Sequence, residues 1–218
     1  MPPANSARSS GRRKKRAYHH RDLRNALIAA ALDALPDVGA TGLSLRDIAR
    51  RAGVSPAAPY HHFPNKDALL AVIAGECAQH LLDALEMATA EAGEEDQRRR
   101  FQLTGIAFVR FAVGHPAHFR ALELPGVLAK MPQEVRRRFD AFYAEEGRRM
   151  REAQRAGIIA PLRFDGLILA ATALVHGLAH MIVNGATDAR PGDVEHAERL
   201  AREVTAVFGV GVLPRPAT

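Results

Sequence analysis

Two histidine pairs have the spacing on which metal sites are built. His176 and His180 lie four residues apart, so one helix would present both imidazoles on one face, and His115 and His118 flank Pro116 at a helix junction. If the pairs met in space, the four rings would form a metal site or the polar floor of a pocket. If they stay apart, they are hydrogen-bonded core or pocket histidines. Neither cysteines nor a glutamate motif accompanies them, so hydrogen-bonded pairs are the expected reading, with no metal and no cofactor. Cys77, the single cysteine, stands on an apolar helical stripe beside Glu76, Ala78 and Gln79. That is the setting of a small buried hydrophobe rather than of a cation-activated thiolate. No Gly-x-Ser-x-Gly elbow, P-loop or dinucleotide fingerprint occurs, and the chain is not expected to be an enzyme.

The residues that favour a function lie between Leu43 and Leu70, in LSLRDIARRAGVSPAAPYHHFPNKDALL. Ser44 with Asp47 three residues on has the form of a capping box, predicting a helix from Leu45 to Ala52 that buries Leu45, Ile48 and Ala49. Gly53 stands where the chain must take a left-handed turn. Ser55 and Pro56 then read as the cap and first residue of a very short helix ending near Phe63-Pro64. Pro59 removes one early hydrogen bond from it, predicting a tight or 3-10 start. A helix, a glycine turn and a short second helix form a helix-turn-helix, whose first member holds the second at a fixed angle so that its outer face can enter a major groove. That face consists of Ser55, Pro56, Ala57, Ala58, Tyr60 and His61. It is small and uncharged, which allows close approach to base edges and contact of alanine methyls with thymine methyls.

The surrounding elements read as helices throughout. Leu23, Ala26, Leu27, Ala30, Ala34 and Leu35 keep helical spacing before Pro36, and Gly39 and Gly42 bracket the exit. Asn65 caps a longer helix carrying Leu69, Leu70, Ile73, Cys77, Leu81 and Leu85. Further helices carry Phe101 to Ala112, His118 to Leu122, Val135 to Met150, Gly166 to Asn184, and Asp193 to Phe208. The fold class is all-α with about nine helices and no strand. Residues 166–187 hold no Asp, Glu, Lys or Arg, a length that would admit a membrane span. Two histidines and three glycines interrupt the stretch, and a helix buried in a bundle or dimer interface is expected instead, with no membrane partner.

Charge divides the 218-residue chain. Residues 1–67 hold 12 Lys or Arg against 5 Asp or Glu, whereas residues 68–218 hold 18 against 19. The basic excess therefore sits in the first third, where a polyanion would dock. Residues 1–20 read as a disordered basic tail, residues 21–66 as a helix-turn-helix domain, 67–210 as a helical body and 211–218 as a tail. Arg12, Arg13, Lys14, Lys15 and Arg16 form either a solvated run or an arm that tracks phosphates. The start lacks the apolar stretch of a secretory signal, and with one cysteine the expectation is a cytoplasmic protein.

The first third resembles the N-terminal domain of the TetR family of regulators. The matching elements are the helix Leu23–Leu35, Asp47-Ile48-Ala49, Ala52-Gly53-Val54-Ser55, Tyr60-x-x-Phe63 and Lys66-Asp67-x-Leu69-Leu70, in family order across about residues 21–73. Pro59 and Pro36 depart from the family's usual residues. The resemblance implies that Tyr60 and Lys66 grip phosphates, that Ser55–Ala58 and His61 face bases, and that Arg46 faces backbone or groove. It implies a regulator, most simply a repressor, acting on double-stranded operator DNA. It further implies a homodimer through Phe164–Asn184 and Asp193–Phe208, and an unidentified small-molecule effector. Leu174-Val175-His176-Gly177 is similar to a Trp-His-Gly signature of one C-terminal subgroup, without its tryptophan. For the effector pocket the candidates are Phe108, Phe111, Phe119, Phe142, Tyr143 and His176, with Phe101 beside them; most of the aromatic residues could equally be core.

Overall fold

A computed structural model describes residues 7–93, 96–159 and 163–212. Among them are eight α-helices and two short 3-10 segments, and no strand. Helix α1 (Ala7–Gly42) buries Leu27, Ile28, Ala31, Leu32 and Leu35, and passes through Pro36 before Gly39 breaks it at φ 66°. A left-handed break of that kind favours glycine, and Leu43 N still donates to Gly39 O at 3.2 Å. Order was expected to begin near residue 21, but the helix already runs from Ala7. Alanine and arginine are good helix formers, which is why this leading segment joins the helix behind it. Residues 1–6 and the side chains of the Arg12–Arg16 run lie outside the described residues, as do residues 213–218.

Helix α2 (Leu45–Arg51) starts as the capping box requires. Ser44 Oγ accepts from Asp47 N at 3.1 Å and donates to Asp47 Oδ2 at 2.6 Å. The Ser44 hydrogen bond, then Arg50, holds the Asp47 carboxyl below its ordinary range. The helix ends at Gly53, φ 68°, with Val54 N bonded back to Ala49 O. A 3-10 segment, Ala58–His61, follows, and then helix α3 (Lys66–Ala92), whose cap Asn65 accepts from Ala68 N at 2.9 Å. Leu27, Leu35, Ile48, Phe63 and Leu69 close one small core behind these pieces.

The body is layered around helix α4 (Gln97–Gly114), which packs on α3 and on the last two helices, α7 (Phe164–Val183) and α8 (Val194–Val212). The short helix α5 (Pro116–Leu122) lies between this body and the N-terminal domain, against α1, α3 and α4. Helix α6 (Gln133–Arg155) is different: Ala153 is its only fully buried residue, and polar pairs tie it down. Arg138 holds Asp83 at 3.1 Å and also Glu86, and Glu146 meets Arg100 of α4 at 2.6 Å. Cys77 is fully buried, and burial pushes its thiol up to about 12, as a core cysteine requires.

Two helices, α3 and α7, are long and apolar enough to cross a membrane by composition. Helix α3 is largely core, with 56% of its apolar window buried, but only 22% of the α7 window is buried in the protomer. Of the two burials expected for this segment, inside a bundle or in a dimer interface, the first does not hold within the single chain. The α7 face made by Leu169, Ala173, Gly177 and Met181, one turn apart, is open.

Ile48 has no exposed surface, and Ile48→Ala is expected to cost about 3 kcal/mol of unfolding free energy in urea titration. Tyr60→Ala, on the outer side, should cost less than about 0.5 kcal/mol; equal losses would mean that the small core is not built as described.

Candidate functional site

The 3-10 segment is held from behind and presents its front. Pro59 is buried, and its carbonyl accepts from His62 N at 2.9 Å and Phe63 N at 2.8 Å. Phe63 fills the core beneath, with the Arg24 guanidinium 5.8 Å from its ring centre. Ser55, Pro56, Ala57 and His61 are exposed, Ala58 is half-buried, and Tyr60 keeps 51% of its surface open. Two details differ from the expected geometry. The regular segment begins at Ala58, and Ser55 contributes its backbone carbonyl, accepting from Ala58 N at 3.0 Å, in place of a side-chain cap. The Tyr60 ring keeps to the outer side, half open to solvent. The 3-10 form follows from Pro59, which has no N–H to give an α-helical bond.

Arg46 is exposed on the first turn of α2. Lys66 Nζ donates to Thr41 O at 2.9 Å, so this ammonium ties the start of α3 to the end of α1. Asp67 beside it is paired with Lys130 at 2.8 Å, and that hydrogen bond holds its carboxyl below the ordinary range. The N-terminal domain is thus fastened to the segment that follows α5.

A cavity of about 390 Å³ opens between α4, α6, α7 and α8. Phe101, Phe108, Met150, Phe164, Ile168 and Phe208 give it an apolar wall. Its buried polar feature is the Arg100–Glu146 pair, with side chains only 13% and 18% exposed. Arg100 makes three bonds to the two carboxylate oxygens, from Nε and Nη2, and gives Nη1 to Thr89 O. Tyr143 also lines the cavity. It keeps 46% of its surface open, yet enough protein surrounds its phenol for burial to push it up to about 12.

His176, also in the cavity lining, stacks on Phe108 with ring centres 4.2 Å apart. Its Nδ1 lies 3.4 Å from Glu123 Oε1, and His180 Nε2 lies 3.1 Å from Glu123 Oε2. Burial draws the His176 pKa down and Glu123 partly restores it. Glu123 is the C-terminal cap of α5, so one carboxylate joins α5 to the cavity's histidine. The other pair goes elsewhere: His115 and His118 pack with His80 at ring-centre distances of 5.3, 5.2 and 5.9 Å. The pairs therefore sit in two groups, and no group of three or more potential ligands able to hold a metal occurs among the described residues.

A family model described as "Bacterial regulatory proteins, tetR family" matches residues 27–73, and one described as "Tetracyclin repressor-like, C-terminal domain" matches residues 101–207. The chain belongs to the TetR family. Within it, 50 residues are 52% identical to the tetracycline repressor protein class A from transposon 1721 of Escherichia coli, which is 23% of each chain. The match thus spans about a quarter of that curated relative's length. A solved structure of a protein with unknown function from Rhodococcus sp. RHA1 is 33% identical, covering 88% of this chain and 96% of that one, with a TM-score of 0.63. A TetR family transcription regulator from Marinobacter aquaeolei VT8 shares the fold at 23% identity, covering 85% and 97%, with a TM-score of 0.63.

Against the TetR plan, the sequence candidates divide cleanly by position. Ser55, Pro56, Ala57, Tyr60, His61 and Arg46 are exposed on the N-terminal domain and Ala58 is half-buried, while Lys66 is engaged with Thr41. Of the cavity candidates, Phe108, Tyr143 and His176 line the space. Phe111 and Phe119 are buried core, and Phe142 is half-buried against it, all outside the lining. Glu123, Arg100, Glu146 and Arg151 were not singled out from sequence. Charged residues on amphipathic helices look solvated until the partner helix is placed, and the signals that pointed towards this region were the His176–His180 spacing and the aromatic residues Phe101, Phe108 and Tyr143.

Burial, then His80 and His115, hold the His118 pKa down to about 4. Between about 6.5 and 4 the unfolded chain binds this proton and the folded chain does not, so stability must fall as pH drops through that window. His118→Gln should flatten the decline of the thermal midpoint between those pH values; an identical decline in both proteins would exclude the coupling.

Proposed function

We propose that the protein is a cytoplasmic, homodimeric DNA-binding transcriptional regulator, most simply a repressor, that leaves its operator when a small molecule fills the cavity. The observation that carries this reading is the outward, uncharged face from Ser55 to His61, fixed from behind by buried Pro59 and Phe63. Small side chains there suit base edges, and the cationic excess of residues 1–67 suits the phosphates around them. Tyr60 and Arg46 serve as phosphate contacts, and the Arg12–Arg16 arm extends that grip. Lys66 acts by fixing α3 to α1 and reaches a phosphate only by leaving Thr41 O.

Pairing supplies the second reading head. The open α7 face carries Leu169, 70% exposed, with Met181 and the small residues Ala173 and Gly177, and α8 adds Val207, 75% exposed. Two copies joining α7 and α8 into a four-helix interface would cover this apolar surface, and a two-fold axis then sets the distance between recognition segments at one helical repeat of DNA. An open apolar face on a helix of this composition is the observation that favours a partner copy over a lone protomer.

Release follows from the connections. A ligand against His176 and Phe108 disturbs the histidine–Glu123 contacts, Glu123 moves the end of α5, and α5 lies against α1. The ligand then favours a different separation of the two recognition segments and shifts the population away from the DNA-bound form.

Selection of bound duplexes from a random pool should return a pseudo-palindromic site, and Tyr60→Ala should weaken binding to it by roughly tenfold. Leu169→Glu should convert dimer to monomer in sedimentation and abolish operator binding; a monomeric wild-type protein, or selected DNA with no consensus, would overturn the reading.

A further inference from the structure

The charge of the cavity wall narrows the ligand that it can take. Three side chains of permanent charge line the space: Arg100, Glu146 and Arg151. The first two cancel, since their bonds to one another are short, multiple and largely buried. An ion pair so fully engaged offers a ligand little, because breaking it strands one buried charge.

Arg151 is left over. It lies on the last turns of α6 and is exposed, whereas Leu85 and Phe108 of the same lining are buried. Its guanidinium sits 4.7 Å from the centre of the Phe164 ring, and no carboxylate among the described residues pairs with it. The neighbouring acids are committed: Glu145 and Glu152 to Arg148, and Glu146 to Arg100. A guanidinium over an aromatic face keeps its N–H donors, which point outward in its own plane, free to meet an anion. The remaining wall is apolar or neutral, with Thr104 already bonded to the Arg100 carbonyl and Thr205 to that of Ala201. The cavity is thus a greasy chamber with one uncompensated cation on its rim. A doubly anionic ligand would find no second free cation, and a wholly neutral one would leave the first unused.

We infer that the cavity binds an apolar molecule bearing a single anionic group, its body among Phe101, Phe108 and Phe208 and its carboxylate on Arg151. This specifies the ligand class of the effector site proposed above and rests on that reading only for its consequence at DNA. The volume of about 390 Å³ lies within the range of small-molecule sites and suits a single amphiphile of modest length. The guanidinium–carboxylate contact would be charge-assisted and partly open to solvent, so its contribution is moderate rather than dominant.

The test uses the full-length protein and competition against the neutral fluorescent probe N-phenylnaphthylamine. Dodecanoate and dodecanol, equal in apolar body and different in charge, are the two competitors. Dodecanoate is expected to bind more tightly, Arg151→Met to weaken dodecanoate by roughly tenfold, and the same change to leave dodecanol where it was. Ala144→Trp, which fills the cavity from an exposed position on α6, should exclude both. Equal affinity for acid and alcohol, indifference of the acid to Arg151→Met, or failure of both to compete overturns the inference. Operator affinity, measured in parallel, reads the parent proposal separately. Acid that binds through Arg151 without loosening the DNA complex sustains the ligand class and sinks ligand-controlled release.

Discussion

A recognition segment with four residues of regular structure cannot hold its own shape. Its geometry has to be imposed from beneath, and here the imposing contact is the burial of Pro59 and Phe63 against α1, α2 and the start of α3. Because these two side chains face inward, Ser55, Ala57, Tyr60 and His61 must face outward. Everything proposed at the DNA follows from that single partition. The remaining fastenings, Ser44 on Asp47, Asn65 on Ala68 and Lys66 on Thr41, set the angles at which the pieces meet. Each is a polar contact at a helix end, where unsatisfied backbone groups would otherwise need water.

The body obeys a different logic. Helices α3, α4 and the inner sides of α7 and α8 are joined by apolar packing, whereas α6 fully buries only Ala153 and adds ion pairs to the half-buried Val135, Phe139 and Phe142. A wall attached in this way leaves volume behind it, since charged side chains stand their helix off from its neighbour. The cavity is the result. The Arg100–Glu146 pair therefore does two jobs that reinforce one another, supporting the wall and neutralising the interior.

The N-terminal domain was legible in the sequence almost residue by residue because its signals are local. A cap and its partner lie three residues apart, the glycine turn follows at once, and a proline inside the short helix dictates its 3-10 form. The helices of the body were equally legible as periodic stripes. The cavity was legible only in part. Phe108, Phe111 and Phe119 look alike on a helix, and which of them meets empty space depends on where a helix some forty residues away comes to rest. Glu123 illustrates the same difficulty: nothing around it in the chain marks it as the partner of His176 and His180. For a related reason α7 could be read only as buried in a bundle or in a dimer interface, since composition shows that a surface wants cover without saying whether the same chain supplies it.

Helix α3 opens in the N-terminal domain at Asn65, and its residue Leu85 reaches the cavity wall. A rod of 27 residues is about 40 Å long and bends little. The boundary read near residue 66 is therefore a change of role along one continuous lever, with no hinge of loop between the halves. Tilting its far end by a few degrees must displace its near end by ångströms, so the geometry of the head can respond to events in the body without any segment unfolding.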